Sequence, residues 1–214
     1  MPIIFISLSE TFTEKVKSKG FAAYTMRIED YKPVRKTYYI SPANSLCFMD
    51  GGIDKALSQI IFPGIEIEVK ETVKNLGLRT LLNRPYLPIG SSIIIEKGLK
   101  NLVVAPTMLL PQNVSNTQNA YYATMATLYN ILSNHNENIN NIDIIFTSFC
   151  CGYGKMSEDE SLNQILKGFN DYHLYNPMIV NNNIILKEPN KLEQPKYYQN
   201  TEWFNVNPKD IIIC

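Results

Sequence analysis

"KTYYISPANSLCFMDGGIDKAL", residues 36 to 57, carries an apolar, β-prone run into a helix-like one through a polar bend. The aromatic and β-branched residues of "TYYIS" read as a strand. The chain then leaves through Asn44, passes Asp50, Gly51, Gly52 and Ile53, and places Asp54 at the mouth of a helix. A glycine pair between strand and helix lets the backbone approach a ligand closely, because no Cβ intervenes. Free N–H groups at a helix start can receive phosphate oxygens. The amide of Asn44 both donates and accepts, which suits the vicinal hydroxyls of a ribose. Asp50 and Asp54 can accept hydroxyl protons or orient a water. The same residues admit plainer roles: an Asp-Gly-Gly turn, an acid favoured by the helix dipole, and an asparagine that caps a turn.

Outward from this stretch, apolar runs alternate with longer periodic segments. "PIIFIS" near the start, "FAAYTMRI" from Phe21, "SSIIIEK" from Ser91, "NLVVAPTM" from Asn101 and "IDIIFTSF" from Ile142 are further strand candidates. "GIDKALSQIIF", "IEIEVKETVKNLG", "NTQNAYYATMATLYNILSNHN" and "SEDESLNQILKGFNDY" are the helical ones. The last opens on a capping box, Ser157 with Glu160, and Gly77 is a natural stop for the second. In the third, Ala120, Ala123, Met125, Ala126, Leu128, Ile131 and Leu132 form one broad apolar face. Strands interleaved with helices predict an α/β fold whose sheet is covered on both faces. In such sheets ligands bind beyond the carboxyl ends of the strands. A second unusual loop, "SFCCGYGKMSEDE", falls in that position too, and its successive amides can form an anion-binding nest.

Composition narrows the classes. With 45% hydrophobic residues, 214 residues suffice for one domain with a substantial core. Twenty basic residues balance twenty acidic ones, which argues against a surface for duplex nucleic acid. A diphosphate would therefore be held mainly by backbone, and the two loops together point to a nucleotide-sugar diphosphate. Four cysteines, two of them adjacent, do not form a secreted disulfide framework. "MPIIFISLSETF" is too short for a signal peptide and lacks a basic leader, and no run is long enough to span a bilayer. A cytoplasmic, reduced setting without membrane attachment is expected. No Cys or His pair has ligand spacing, so neither metal nor cofactor is expected. Neither G-x-G-x-x-G nor a P-loop motif occurs.

"YYISPANSLCFMDGGIDKAL" resembles the first ligand loop of macro domains, the ADP-ribose-binding family, whose pattern is a strand, Asn-Ala-Ala-Asn, a glycine run, Val-Asp and a helix. Asn44 falls on the second asparagine, Gly51 and Gly52 on the last glycines, and Asp54 on the acid. "LPIGSSIIIEKG", "VVAPTMLLPQNVSNTQNAYYATMATL" and "IIFTSFCCGYGKMSEDES" are similar to later segments of a macro-like subgroup found in bacteria and large viruses. The resemblance covers roughly residues 20 to 172. It implies a three-layer αβα sandwich with a mixed central sheet, expected over residues 1–172. The stretch after Asp171 turns rich in Asn, Pro, Tyr and Lys and is too short and irregular for its own core, so 173–214 is expected as a C-terminal extension packed on the same domain.

The resemblance further implies that ADP-ribose, or an ADP-ribosylated target, is the partner. Asp30 would receive the adenine amino group, and the backbone at Tyr31 the next adenine contact. Asn44 would hold the distal ribose, and Gly51, Gly52 and Ile53 would line the phosphates. Cys151, Gly152, Tyr153 and Gly154 would supply the second phosphate loop. Asn44, Asp54 and Asp50 are the catalytic candidates for hydrolysis of an ADP-ribosyl bond or of ADP-ribose 1″-phosphate. The alternative is a non-catalytic ADP-ribose reader or interaction module. Departures from the pattern bear on catalysis. Ser41 replaces the first asparagine, Met49 and Asp50 stand where many members carry glycines, and Ser58 stands where several hydrolases carry histidine. Cys150 and Cys151 replace a glycine and a threonine, with crowding of the diphosphate expected from Cys150. A thiol mechanism would pair Cys151 with His135 or His173, and a scaffold would dock through "YYQNTEWF", which contains Trp203.

Overall fold

The computed structural model describes residues 3–80, 82–134, 139–172, 178–180 and 183–185. Its elements run β1 (Ile3–Ser7), α1 (Glu10–Ser18), β2 (Ala22–Thr25), β3 (Lys36–Ser41), α2 (Gly52–Ala56), α3 (Ile65–Asn75), β4 (Ile93–Ile95) and β5 (Lys100–Val104). They continue with α4 (Asn119–Asn134), β6 (Ile142–Phe146), α5 (Glu158–Asp171) and a short hairpin of β7 (Met178–Val180) and β8 (Asn183–Ile185).

Six strands form one sheet in the order β2-β1-β6-β3-β5-β4. Neighbours pair in parallel from β2 through β5, while β4 pairs antiparallel with β5 at the edge. The period-two alternation of side chains sorts the sheet residues into two cores. Phe5, Tyr38, Ile40, Val103, Ile144 and Phe146 face α1, α4 and α5. Ile4, Ile6, Tyr39, Leu102, Val104 and Ile145 face α3 and the segment after α2. Burial on both faces is why these strands read as continuous apolar runs rather than alternating ones. The architecture is a three-layer αβα sandwich with a mixed central sheet.

Helix ends follow local chemistry. Gly77 adopts φ +76, its N–H donates to the Lys74 carbonyl, and the Leu78 N–H donates to the Val73 carbonyl. That pair of bonds is a Schellman stop for α3. Ser157 caps α5 by accepting from the Glu160 N–H at 3.1 Å. The Glu160 carboxylate accepts instead from Gln164 Nε2 at 2.8 Å, so only half of the expected capping box is present. The broad face expected on α4 divides between two clusters, with Ala120, Ala123, Leu128 and Ile131 in the main core and Met125 and Ala126 in a smaller one.

Helix α1 was absent from the expected elements. Ser9 caps it through the Phe12 N–H, and Phe12, Thr13 and Val16 are its buried stripe. The helix expected over "GIDKALSQIIF" also differs. After α2 it widens into a π-type turn at Leu57–Ile61, closed by the Phe62 N–H on the Leu57 carbonyl at 2.8 Å. Among the described residues no helix is long and apolar enough to cross a membrane. Residues 186–214, including Trp203, lie outside the described residues, as do His135 and His173.

Candidate functional site

A cleft of about 320 Å³ opens at the carboxyl ends of four adjacent strands. That volume is at the lower end of the range for small-molecule sites, about 300–1,000 Å³. Leu8 contributes after β1, Pro42, Ala43, Asn44, Phe48 and the run from Asp50 to Asp54 after β3, Thr107, Met108 and Pro111 after β5, and Thr147, Ser148, Cys150 and the run from Gly152 to Gly154 after β6. β1 and β3 flank β6, and the chain winds outward from them in opposite directions. A crevice at the carboxyl end of such a reversal is where α/β sheets hold ligands. Among the described residues no Lys, Arg or His lines the cleft.

Asn44 organises the first loop. It is 6% exposed; its Oδ1 accepts from the N–H groups of Leu46 (3.2 Å) and Phe48 (3.3 Å), and its Nδ2 donates to the Phe48 carbonyl at 2.8 Å. The side chain borders the cleft, but its acceptor is already filled by the loop. Cys47 follows in the left-handed region at φ 61, fully buried, a conformation that costs a non-glycine residue of the order of 1–3 kcal/mol. Met49, also fully buried, is bonded on both sides of its backbone: its N–H donates to Glu66 Oε2 at 3.0 Å, and its carbonyl accepts from Ser58 Oγ at 2.8 Å. Asp50, Gly51, Gly52 and Ile53 then line the cleft. Gly52 holds φ +53, which glycine adopts without Cβ strain. The N–H groups of Gly51, Gly52 and Ile53 make no hydrogen bond to the described residues.

Asp54 lies in the first turn of α2 and accepts from Ser41 Oγ at 2.6 Å. Burial pushes its carboxyl up to about 7; the Ser41 hydrogen bond works against that, while Asp50 and Glu66 add to it. A carboxyl near neutrality, held by a fully buried hydroxyl, can take or give a proton at physiological pH.

The second loop is closed by main chain. The Met156 N–H donates to the Cys150 carbonyl at 3.1 Å, and the Val114 N–H donates to the Gly154 carbonyl at 2.9 Å. A Cβ on Gly154 would lie 2.3 Å from the Cys150 oxygen, so only glycine fits. Cys150 has φ 64, in the left-handed region that a glycine would adopt more freely. Its side chain is 5% exposed and packs in the main core, where burial pushes the thiol up to about 12. Cys150 lies in the wall of the cleft, which is open with that side chain in place. Cys151 is partly buried, its thiol is raised by burial, and its Sγ donates to the Phe149 carbonyl. A raised thiol is a poor nucleophile. Among the described residues no cluster of three or more His, Cys, Asp or Glu side chains could hold a metal ion.

The two loops meet. A Cβ on Gly51 would lie 3.2 Å from the Tyr153 ring edge. Asn44, Asp50, Gly51, Gly52, Ile53, Asp54, Gly152, Tyr153 and Gly154 thus line one cleft. Cys151 is not in its lining, and neither are Asp30 and Tyr31. Asp30 is exposed at the end of a 3₁₀ turn whose Ile28 is buried in the α3-side core. The Tyr31 hydroxyl donates to Asp143 Oδ2 at 3.2 Å, near the start of β6 and away from the cleft end. Burial, and then Asp143, pushes that phenol up to about 12. Ser41, Ser58 and Glu66 are contributors the sequence did not single out for these roles. The first two were visible only as departures from the family pattern, and Glu66 only as an acid in a first helical turn.

The fold is similar to two solved structures of the Oceanobacillus iheyensis macrodomain. A point mutant is 17% identical with a TM-score of 0.51, covering 71% of this chain and 72% of that one. A form with MES bound is 16% identical with a TM-score of 0.52, covering 71% and 76% respectively. No protein-family model and no curated protein matches the chain. At these identities the likeness concerns fold, and with the sheet order and the strand-end cleft it leads to one statement: this chain has the macrodomain fold.

Proposed function

We propose that this protein binds ADP-ribose, or a group that carries it, in the strand-end cleft, with the diphosphate held by main-chain amides. The approach of Gly51 to Tyr153 carries this reading, because it joins two glycine-bearing loops around a cleft to which the described residues bring no cationic side chain. An anion there would find its donors in hydroxyls such as those of Thr147 and Ser148 and in backbone N–H groups, and Gly51, Gly52 and Ile53 have theirs available. The motif resemblance and the macrodomain fold support the same ligand class. Titration calorimetry with ADP-ribose is the test. Saturable heat that pyrophosphate competes away is expected, and Gly51→Leu, which fills the space against Tyr153, should abolish it. A folded wild-type protein that shows no saturable binding would refute the proposal.

A second reading is hydrolysis of an ADP-ribosyl bond or of ADP-ribose 1″-phosphate, and the Ser41–Asp54 pair favours it. Glycosidic cleavage passes through an oxocarbenium-like state that a carboxylate near the anomeric carbon stabilises, and Asp54 can position or activate the water. Incubation with an ADP-ribosylated acceptor separates the cases. Released ADP-ribose, lost in Asp54→Ala with affinity largely kept, identifies a hydrolase. Tight binding with the acceptor unchanged identifies a reader.

A further inference from the structure

The loop from Asn44 to Gly51 has no helix or strand of its own, and it contains a buried left-handed cysteine. Something outside it must hold its shape. Glu66 is placed to do so from the first turn of α3, where its Oε2 accepts the Met49 N–H at 3.0 Å. That amide belongs to a fully buried residue. Its other oxygen takes Lys70 Nζ at 2.5 Å, one helical turn on, and the same ammonium lies 4.3 Å from the ring centre of Phe48, which lines the cleft. On the opposite side Ser58 Oγ holds the Met49 carbonyl. The peptide groups on either side of Met49 are thereby fixed from two helical segments. The next residues along the chain are the ones with available amides. A first-turn acid usually serves only the helix dipole, and Glu68, in the same turn, instead pairs with Lys97 and does not reach the loop.

We infer that Glu66 is a positioning residue for the anion-binding loop: through the Met49 N–H it keeps the bend from Asp50 to Ile53 in the form that leaves its amides open at the cleft. Its effect on ligand affinity rests on the ADP-ribose proposal, while its effect on the loop does not.

Two readouts on one set of variants separate these. Glu66→Ala removes the acceptor, Glu66→Gln keeps an oxygen for the Met49 N–H, and Glu68→Ala removes a first-turn acid that does not touch the loop. Hydrogen exchange of the unliganded protein should quicken over residues 47–53 in Glu66→Ala, and stay near wild type in Glu66→Gln and Glu68→Ala. ADP-ribose affinity should fall about tenfold or more in Glu66→Ala, the scale of one charge-assisted hydrogen bond. Glu66→Gln should restore most of it, and Glu68→Ala should leave it unchanged even if the melting temperature drops. Unchanged exchange in Glu66→Ala overturns the inference, as does equal loss of affinity in Glu66→Ala and Glu68→Ala. Faster exchange in Glu66→Ala alone, with no ADP-ribose binding by wild type, upholds the positioning role and removes the ligand assignment.

Discussion

The two loops that form the cleft reach the same rim by different means. The loop after β3 is bonded through main chain in its first part, at Ala43, Asn44 and Ser45, and beyond that it is held by side chains: Asn44 ties its turn, Glu66 and Ser58 grip Met49, and Ser41 grips Asp54. The loop after β6 is held by main chain, its own at the Cys150 carbonyl and that of Val114 at the Gly154 carbonyl, with Gly154 pressed against the first of them. Each contains a cysteine in the left-handed region, Cys47 and Cys150. The first loop is therefore adjustable, through substitution and pH, whereas the second tolerates almost nothing at Gly154. The difference also places both carboxylates of the cleft on one side, at Asp50 and Asp54.

The largest expected effect tests the rigid side. Gly154→Ala sets a Cβ against the Cys150 oxygen and the Val114 side chain, so the loop must shift. A stability loss of about 2–4 kcal/mol in denaturant unfolding is expected, with ADP-ribose binding lost. A variant that binds like wild type would mean that this loop does not hold the ligand. Next comes Asn44→Ala, which strands the Leu46 and Phe48 amides and the Phe48 carbonyl. Leaving such groups unpaired should cost about 2–3 kcal/mol. Lost affinity at unchanged stability would instead make Asn44 a ligand contact rather than the tie of its loop.

The pH dependence comes third. The folded-state carboxyl of Asp54, at about 7, lies above its ordinary value of 3.8. Its neutral form is thus favoured by folding: the associated stability is complete below about pH 4 and is lost as the pH rises through about 7. Asp54→Asn should then stabilise the protein at about pH 8 by about 1–3 kcal/mol, a range that allows for the residue's partial exposure. ADP-ribose affinity should fall between about pH 6 and about pH 8 as the carboxylate charges beside the diphosphate, and Asp54→Asn should flatten that slope. Ser41→Ala, by removing the bond that favours the charged form, should move the midpoint upward by roughly one unit. The smallest effect is Gly51→Ala. Its Cβ meets a Tyr153 ring that is 40% exposed and can give way, so a few-fold loss of affinity with stability within about 0.5 kcal/mol is expected.

Much of this was legible in the residues, for identifiable reasons. Strands buried on both faces leave long apolar runs, and glycines between a strand and a helix mark close backbone approaches. Helix α1 was harder to see, because its buried stripe of Phe12, Thr13 and Val16 spans little more than a turn right after a strand. The π-type turn leaves no periodic trace, since it inserts a single residue into an otherwise helical pattern. In the site, both loops could be named from composition and order. Glu66 could not, because an acid that reaches out of its helix has the same sequence as one that serves the dipole. Asn44 was named for a ribose, but hydrogen bonds within its own loop decide where its acceptor goes. Asp30 and Tyr31 were named by pattern alone, and they lie outside the cleft lining: Asp30 is the exposed end of a turn that packs against α2, and the Tyr31 hydroxyl bonds Asp143.

The most direct test is the salt dependence of ADP-ribose binding by the wild-type protein. A diphosphate held by neutral amides near two carboxylates should bind with nearly constant or slightly rising affinity from about 0.05 to about 0.5 M salt, because screening removes only repulsion. A steep fall over that range would show that cationic side chains hold the ligand, and would contradict the assignment of the cleft.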